Sequence, residues 1–389
     1  MNKSNTYCVM PHIGMAIQND SDFCCCNVNR ESWKNGQHEV MFVYKDQLKN
    51  SFKSYTRKII AASLDRGIQH PSCTFCWDLE KSNQVSPRIN FNTAFANIQP
   101  VSNQPRVLII KPGNTCNFAC RMCNPATSTS WYADAYELTD KQITFGEYTK
   151  QFETIRNSFD KDKELWSQLE SWLPSITYID IYGGEPFLNP AMFNLLDKAI
   201  EFNLNKNITI NIHTNCSIYN KKYLDILLQF QKVNFNVSFD SYIHNQLSYI
   251  RHKIDPSVTF DNTIKFIKHF QHSDHVTLSC TCTITTLNVF YIDEIVKNLK
   301  DILQIPIFEN IVTTDEYDIR HLPTSVKEIL LHRLQSEKVK NFLTQTIPGC
   351  DIHWPRFCRI TDKLDKIRQQ SFAENFPDWY NILQPHWVK

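Results

Sequence analysis

The chain has 389 residues, with 41 basic and 40 acidic side chains for a formal net charge of +1. That balance, without a basic run, leaves a nucleic-acid partner unsupported. No apolar stretch approaches the length that crosses a bilayer, and the N-terminus lacks the hydrophobic core of a signal peptide, so the cytoplasm is the expected compartment. The length leaves room for two or three domains. Fourteen cysteines, several clustered at C-x2-C and C-x3-C-x2-C spacing, point in a cytosolic chain to metal or cluster ligands rather than to disulfides.

In chain order, residues 1–100 are cysteine-rich and irregular, with a helical pattern over Gln47–Arg66. A proline-bearing polar stretch, Asn97–Pro105, reads as a linker. From 101 to 320 apolar runs alternate with amphipathic segments. The expected strands are Val107–Ile110, Ile176–Tyr182, Ile208–His213, Phe235–Phe239, Val276–Thr283 and Ile305–Phe308. Helices are expected at Phe193–Phe202, Tyr223–Phe230, Thr263–Phe270 and Ile292–Leu303, with two or three more between Ser128 and Pro174. Strand alternating with helix predicts an α/β fold with a parallel sheet, and six such repeats fit an open, partial (β/α)6 barrel of the TIM type. Residues 321–389 form a C-terminal helical extension, with a helix expected over Val326–Phe342.

The chemistry concentrates after the first barrel strand, where Cys116-Asn-Phe-Ala-Cys120-Arg-Met-Cys123 places three cysteines at C-x3-C-x2-C spacing. Loops after strand ends build the active sites of parallel barrels. Three thiolates hold three corners of a cubane [4Fe–4S] cluster and leave one iron open, whereas a ferredoxin cluster or a structural zinc site takes a fourth protein ligand. The alternatives are a zinc knuckle and three buried thiols. After the second strand comes Gly183-Gly184-Glu185-Pro186. Paired glycines at a strand end let the backbone approach a ligand closely, although the same letters also make a tight turn before a helix.

Together the triplet and the glycine pair resemble the radical S-adenosylmethionine (radical SAM) enzymes. The resemblance implies a partial barrel, a SAM-binding [4Fe–4S] cluster on Cys116, Cys120 and Cys123, and SAM itself. Carried onto this sequence, the segment that meets the methionine amino group is Tyr182, Gly183, Gly184, Glu185 and Pro186. His213-Thr214-Asn215 is similar to the family's Thr-Asn-Gly, except that Cys216 replaces the glycine. Val237-Ser238-Phe239-Asp240 is similar to its Ser-Leu-Asp, and Arg251 stands where the family often has a basic residue near the SAM carboxylate. Asn215, Ser238, Asp240 and Arg251 are therefore cofactor-binding candidates. Met122 joins them in place of the aromatic that usually stacks near adenine, since a thioether packs on a purine face.

Ahead of the barrel, Cys8, the run Cys24-Cys25-Cys26, and Cys73-Thr-Phe-Cys76 supply thiolates for a closed site. They look like the Twitch type of auxiliary-cluster module, a half-size relative of the SPASM domain. The expected ligands of this second iron–sulfur cluster are Cys8, Cys25, Cys73 and Cys76. Neighbours along a strand face opposite ways, so the three consecutive cysteines are not expected to share one metal. A structural zinc is the alternative. Cys216, Cys280, Cys282, Cys350 and Cys358 read as buried thiols.

The resemblance implies reductive cleavage of SAM to a 5′-deoxyadenosyl radical that takes hydrogen from a substrate carbon, with the electron supplied by an external donor of flavodoxin or ferredoxin type. Twitch- and SPASM-bearing enzymes often act on peptides or proteins, by cross-linking, epimerisation or oxidation, and that is the first expectation here. Tailoring of a small metabolite is the second. A cluster- or zinc-binding module without catalysis is the third. No catalytic side chain beyond the cofactor ligands is assigned.

Overall fold

A computed structural model describes residues 3–18, 21–27, 52, 54–81, 84–101, 103–152, 163–313 and 315–388. Its strands are β1 (Gly14–Gln18), β2 (Ser21–Phe23), β3 (Val107–Lys111), β4 (Ala119–Cys120), β5 (Tyr178–Ile181), β6 (Thr209–Thr214), β7 (Lys232–Ser238), β8 (Arg251–His252), β9 (Val276–Ile284) and β10 (Ile307–Ile311). All six expected barrel strands form, alternating along the chain with helices. The fold is α/β with parallel strands, the partial TIM-type barrel expected from the pattern. The chain divides into two compact units, one of residues 1–114, 153–212 and 221–234, the other of 115–152, 213–220 and 235–389.

In the first unit the strand order is β6-β5-β3-β1-β2. β3 pairs in parallel with β1 on one side and β5 on the other, β5 pairs in parallel with β6, and only β2 runs antiparallel, to β1. Val107–Ile110 are all buried, as expected of a parallel strand covered on both faces. Helix Pro190–Glu201 starts on Asn189, whose side chain accepts from Met192 N at 2.9 Å, and has proline in its first turn. It buries Met192, Phe193, Leu195, Leu196 and Ala199, one apolar stripe at helical spacing.

β1 is a strand that the sequence reading missed. Gly14 pairs with Val107 and Gln18 with Lys111, so the irregular-looking N-terminal segment contributes a strand beside β3. Val107 and Ile109 share one core with Met10, Ile13, Ala16, Ile60, Leu64, Trp77 and Phe95. The helix expected over Gln47–Arg66 is Tyr55–Asp65, begun by the Ser54 hydroxyl on Arg57 N; residues 47–51 and 53 lie outside the described residues.

In the second unit β10 pairs in parallel with β9, and β9 neighbours β7. Helix Ile292–Leu303 buries Ile292, Ile295, Leu299 and Leu303, at three- and four-residue steps, and ends at Gln304 in the left-handed region. The single helix expected over Val326–Phe342 is two, Thr324–Arg333 and Glu337–Leu343. The Ser336 side chain accepts from Val339 N and starts the second, a cap that apolar periodicity does not reveal. Among the described residues between Ser128 and Pro174, helices form at Tyr132–Glu137 and Phe145–Lys150 and, in the first unit, at Lys163–Trp172; residues 153–162 lie outside the described residues. Among the described residues no helix is long and apolar enough to cross a membrane.

Gly14 has an ordinary backbone conformation but no room. An added Cβ would stand 2.9 Å from the Cys24 carbonyl oxygen and 3.0 Å from that of Met10, and would collide with the end of the Met10 side chain. Gly14→Ala is expected to destabilise the chain by about 1–3 kcal/mol through overpacking. Urea denaturation checks this, and an unchanged midpoint would mean that Met10 and the β1 start shift freely.

Candidate functional site

The Cys116–Cys123 loop lies in the second unit and is held by its backbone. β4 pairs antiparallel with β8, which sets Cys120 opposite Arg251 and Ala119 opposite His252. Arg121 N donates to Ile250 O at 2.8 Å and Cys123 N to Cys120 O at 2.9 Å. The loop's carbonyls are taken up by the segment that follows. The hydroxyl of Ser128 donates to Phe118 O at 2.6 Å, that of Ser130 to Cys116 O at 2.9 Å, and the indole of Trp131 to Cys120 O at 2.7 Å. A buried loop must satisfy such groups, and here a serine–threonine–tryptophan run does so. The sequence reading assigned these residues no role; hydroxyls crowded just after the triplet were the available signal.

The three thiols share one electrostatic neighbourhood. The Cys123 thiol, hydrogen-bonded to Cys120, pushes the Cys120 pKa well up; burial and the Cys116 thiol add to this, and Arg251 opposes it. Asn215, just past β6, reaches Cys116 Sγ at 3.7 Å and Asn117 Oδ1 at 3.2 Å through its amide nitrogen, and Ser217 N donates back to Asn215 Oδ1 at 2.9 Å. The next residue, Cys216, has φ 61°, a left-handed conformation that glycine adopts more easily. That explains physically why a glycine would be usual there. Met122 is half-buried within the loop, and Ser238 is half-buried at the end of β7.

Asp240 and Arg251 form a buried ion pair. Arg251 Nε donates to Asp240 Oδ2 at 2.7 Å, while Asp240 Oδ1 accepts from Thr283 N at 2.9 Å. Asn288 fastens the same strand ends, donating to Asp240 O at 3.0 Å and to Thr283 O at 2.9 Å. Burial alone would lower the Arg251 pKa; the charges of Asp240 and Cys120 and the hydrogen bond to Asp240 raise it instead. Asp240 is fully buried with both oxygens engaged, so it acts on its surroundings through Arg251. Arg251 is a fixed cation beside Cys120 and Cys123.

The glycine pair lies in the first unit, after β5. Gly183 has φ 86° and Gly184 φ 56°, both left-handed. A Cβ on Gly183 would run into the Lys111 side chain, which crosses it from the end of β3. Tyr182 is half-buried just ahead of the pair. The buried Glu185 carboxylate accepts from Phe187 N at 3.1 Å and caps the short 3-10 turn Pro186–Leu188. Asn189 Nδ2 donates to Pro112 O at 2.6 Å, tying the loops after β3 and β5 together.

Also in the first unit, a cavity is lined by Cys8, Cys24, Cys25, Cys73 and Cys76 with Ile60, Leu64 and Arg88 among its walls. Cys24–Cys26 form a turn after β2, not a strand, so the expected alternation of their side chains does not apply; Cys24 and Cys25 both line the cavity. Burial, then the Cys25, Cys24 and Cys73 thiols, pushes Cys8 well up, and burial pushes Cys76 up to about 11. Two buried guanidiniums flank this cavity. Arg88 donates to Tyr7 O at 2.7 Å and pairs with Glu80 at 2.6 Å. Arg57 donates to Pro11 O at 2.5 Å and Phe52 O at 2.7 Å.

Both thiol groups thus combine several cysteines with a buried cation, the environment that an anionic iron–sulfur cluster needs. Among the described residues no group of three or more His, Cys, Asp or Glu side chains is arranged to hold a metal ion.

The sequence model of the radical SAM superfamily matches residues 110–302, and over that span the chain is a radical SAM domain. Members use a [4Fe–4S] cluster and SAM. Solved structures that the chain matches include native anSMEcpe with bound AdoMet, at 17% identity and TM-score 0.39, covering 59% of each chain. Another is Streptococcus suis SuiB bound to S-adenosylmethionine, at 17% identity and TM-score 0.38, covering 77% of this chain and 60% of that one. A third is the methyltransferase TsrM from Kitasatospora setae, at 14% identity and TM-score 0.33, covering 51% of this chain and 34% of the other. The chain thus spans less than two thirds of their length. A search of curated proteins finds no match.

Removing Asp240 strands the Arg251 charge. Asp240→Ala is expected to cost about 3–5 kcal/mol in urea denaturation, and replacing both partners by apolar residues of similar volume to cost less. Equal losses in the single and double variants would mean that the pair is not the source of the effect.

Proposed function

We propose that the chain is a radical SAM enzyme with two iron–sulfur clusters that acts on a carbon of a peptide or protein, with an external protein electron donor. The observation that carries the reading is the gathering of Cys116, Cys120 and Cys123 in one backbone-locked loop beside the buried Arg251, within the span of the family match. These three cysteines would hold the SAM-binding cluster. Following the resemblance, Tyr182, Gly183, Gly184, Glu185 and Pro186 of the first unit, and Asn215, Ser238, Asp240, Arg251 and Met122 of the second, would be SAM-binding residues. When bound, cluster and SAM supply one-electron cleavage and a hydrogen-abstracting radical, chemistry that acid and base side chains do not provide.

The protein's own part is placement and charge. The left-handed Gly183-Gly184 backbone carries no side chain of its own, and the Lys111 side chain lies across Gly183. Asn215 reaches Cys116, and Arg251, fixed in place by Asp240, favours the thiolate of Cys120. In the N-terminal region Cys8, Cys73, Cys76 and either Cys24 or Cys25 would hold the auxiliary cluster, with Arg57 and Arg88 in the role that Arg251 has at the other thiols. The Twitch-like cysteine pattern supports the peptide or protein substrate.

Replacing Cys116, Cys120 and Cys123 together by alanine is expected to abolish formation of 5′-deoxyadenosine from SAM. Iron after anaerobic reconstitution is expected to fall from about eight to about four per chain. Full SAM cleavage by that variant would refute the assignment. A parent that takes up about four irons with one zinc would assign the N-terminal thiols to zinc. Anaerobic incubation with candidate peptides and small metabolites, following deoxyadenosine and substrate mass together, tests the substrate class. Turnover of a metabolite without turnover of any peptide would overturn the peptide reading.

A further inference from the structure

The C-terminal helix Cys350–Arg368 reaches back to the cysteine loop through one carboxylate. Asp365 Oδ1 accepts from Arg121 Nη2 at 2.5 Å and from the Tyr249 hydroxyl at 2.7 Å, while Asp365 Oδ2 accepts from Phe372 N at 2.7 Å. Arg121 immediately follows Cys120, and Tyr249 stands two residues before Arg251. The carboxylate therefore joins the residue after β4 to the helix that leads into β8, the two strands whose pairing sets Cys120 opposite Arg251.

Arg121 is held by several partners, although its Nη1 is buried without one. It is fully buried, with its guanidinium 3.6 Å from the Tyr249 ring centroid, its Nε donating to Tyr249 O at 3.0 Å and its Nη2 also reaching Gln370 Oε1 at 3.1 Å. Asp365 is the one carboxylate paired with it among the described residues. The same helix presses on the loop with apolar groups, since Leu364 is buried in a cluster with Ala119 and Trp131, and Ile360 and Cys123 pack against it. A second tie runs beside the first: Arg368 Nε donates to Asp134 Oδ2 at 3.0 Å, and its guanidinium lies 4.8 Å from the ring centre of Trp131, whose indole holds Cys120 O.

We propose that Asp365 is a positioning residue for the three-cysteine loop. Through Arg121 and Tyr249 it sets where Cys120 stands relative to Arg251, and so how firmly the loop holds its cluster and what electronic character the cluster has. The C-terminal extension is on this account an integral support of the metal-binding loop. The cluster part rests on the reading of Cys116, Cys120 and Cys123 as its ligands; the placement of the thiols does not. A charged group held this rigidly behind a ligand loop acts as the outer-shell partners of metal ligands do, whose loss costs about 10- to 100-fold in metal affinity or activity.

The test uses the full chain with three variants: Asp365→Asn, Tyr249→Phe and Asp365→Glu. In metal-free protein, the alkylation rates of Cys116, Cys120 and Cys123 are followed by mass spectrometry, with the N-terminal cysteines as internal control. After anaerobic reconstitution, iron loss to a chelator and the electron paramagnetic resonance spectrum of the reduced protein, with and without SAM, are recorded. Asp365→Asn is expected to alkylate faster at Cys120 and Cys123 only, to release iron from the triplet about 10- to 100-fold faster, and to change the spectrum. Tyr249→Phe is expected to shift the same readings less, and Asp365→Glu to recover part of them. A folded Asp365→Asn chain, by circular dichroism, with parental alkylation and spectrum would overturn the proposal. If that variant does not fold, Tyr249→Phe decides, since it removes a single hydroxyl, and parental readings there overturn it. If the parent takes up no iron at the triplet, the cluster assignment fails, and the metal-free alkylation rates still decide the placement.

Discussion

The two-residue ladder between Ala119–Cys120 and Arg251–His252 is the joint on which the cysteine loop depends. A loop carrying three thiols has little secondary structure of its own, and its middle, Phe118 to Arg121, is too buried for its peptide groups to be left to water. The ladder supplies the first fixed point. Ser128, Ser130 and Trp131 then take up the carbonyls that the ladder leaves over. Because Cys120 and Arg251 are opposite partners in that ladder, the backbone pairing that places the thiol also places the cation beside it. Geometry and charge at this site are set by one interaction.

The same pairing of thiols with a compensated cation recurs in the N-terminal half. Arg251 is balanced by Asp240, and Arg88 by Glu80. A buried guanidinium without a carboxylate would cost several kcal/mol. A guanidinium with its carboxylate stays charged, and Arg251 lowers the pKa of Cys120 while Arg88 lowers those of Cys73 and Cys76. In each case the carboxylate is held by further donors: Thr283 N on Asp240, and the Ser86 hydroxyl on Glu80. The two sites use different elements, a strand ladder in one and short helices and turns in the other, so the likeness is one of electrostatics.

Much of the barrel was legible from two patterns: Val107–Ile110 is an uninterrupted apolar run buried throughout, while β6 and β7 alternate apolar with polar residues and bury the apolar half. Strand ends were legible for a related reason: polar residues appear where the run emerges, as at Asn215 and Asp240. The helices were found, but their starts were placed too late at Pro190 and Pro256, where a side-chain cap and a first-turn proline extend the helix beyond its apolar stripe. β1 was not seen. Its five residues, Gly14-Met-Ala-Ile-Gln18, are short and follow a helical turn, and nothing local marks them as a partner for β3, some ninety residues on. Three consecutive cysteines, Cys24–Cys26, suggest strand alternation, but β2 ends at Phe23 and the turn that follows lets two neighbouring thiols line one cavity.

Spacing determined which chemistry the chain carries. The intervals within Cys116–Cys123, the adjacent glycines after the second strand and the alternation of strand with helix are local properties of the backbone, and the radical SAM match over residues 110–302 agrees with them. Tertiary structure alone decided what surrounds the thiols. Arg121 reads as one more charged residue in a loop, and Asp365 as one more on a helix; 244 positions separate them, and no periodicity or motif links them. Arg251 was legible as a basic residue near the site, but not as the ladder partner of Cys120. Charges buried beside a site are chosen by which surfaces pack together, and packing between distant segments leaves no mark in the spacing of either one.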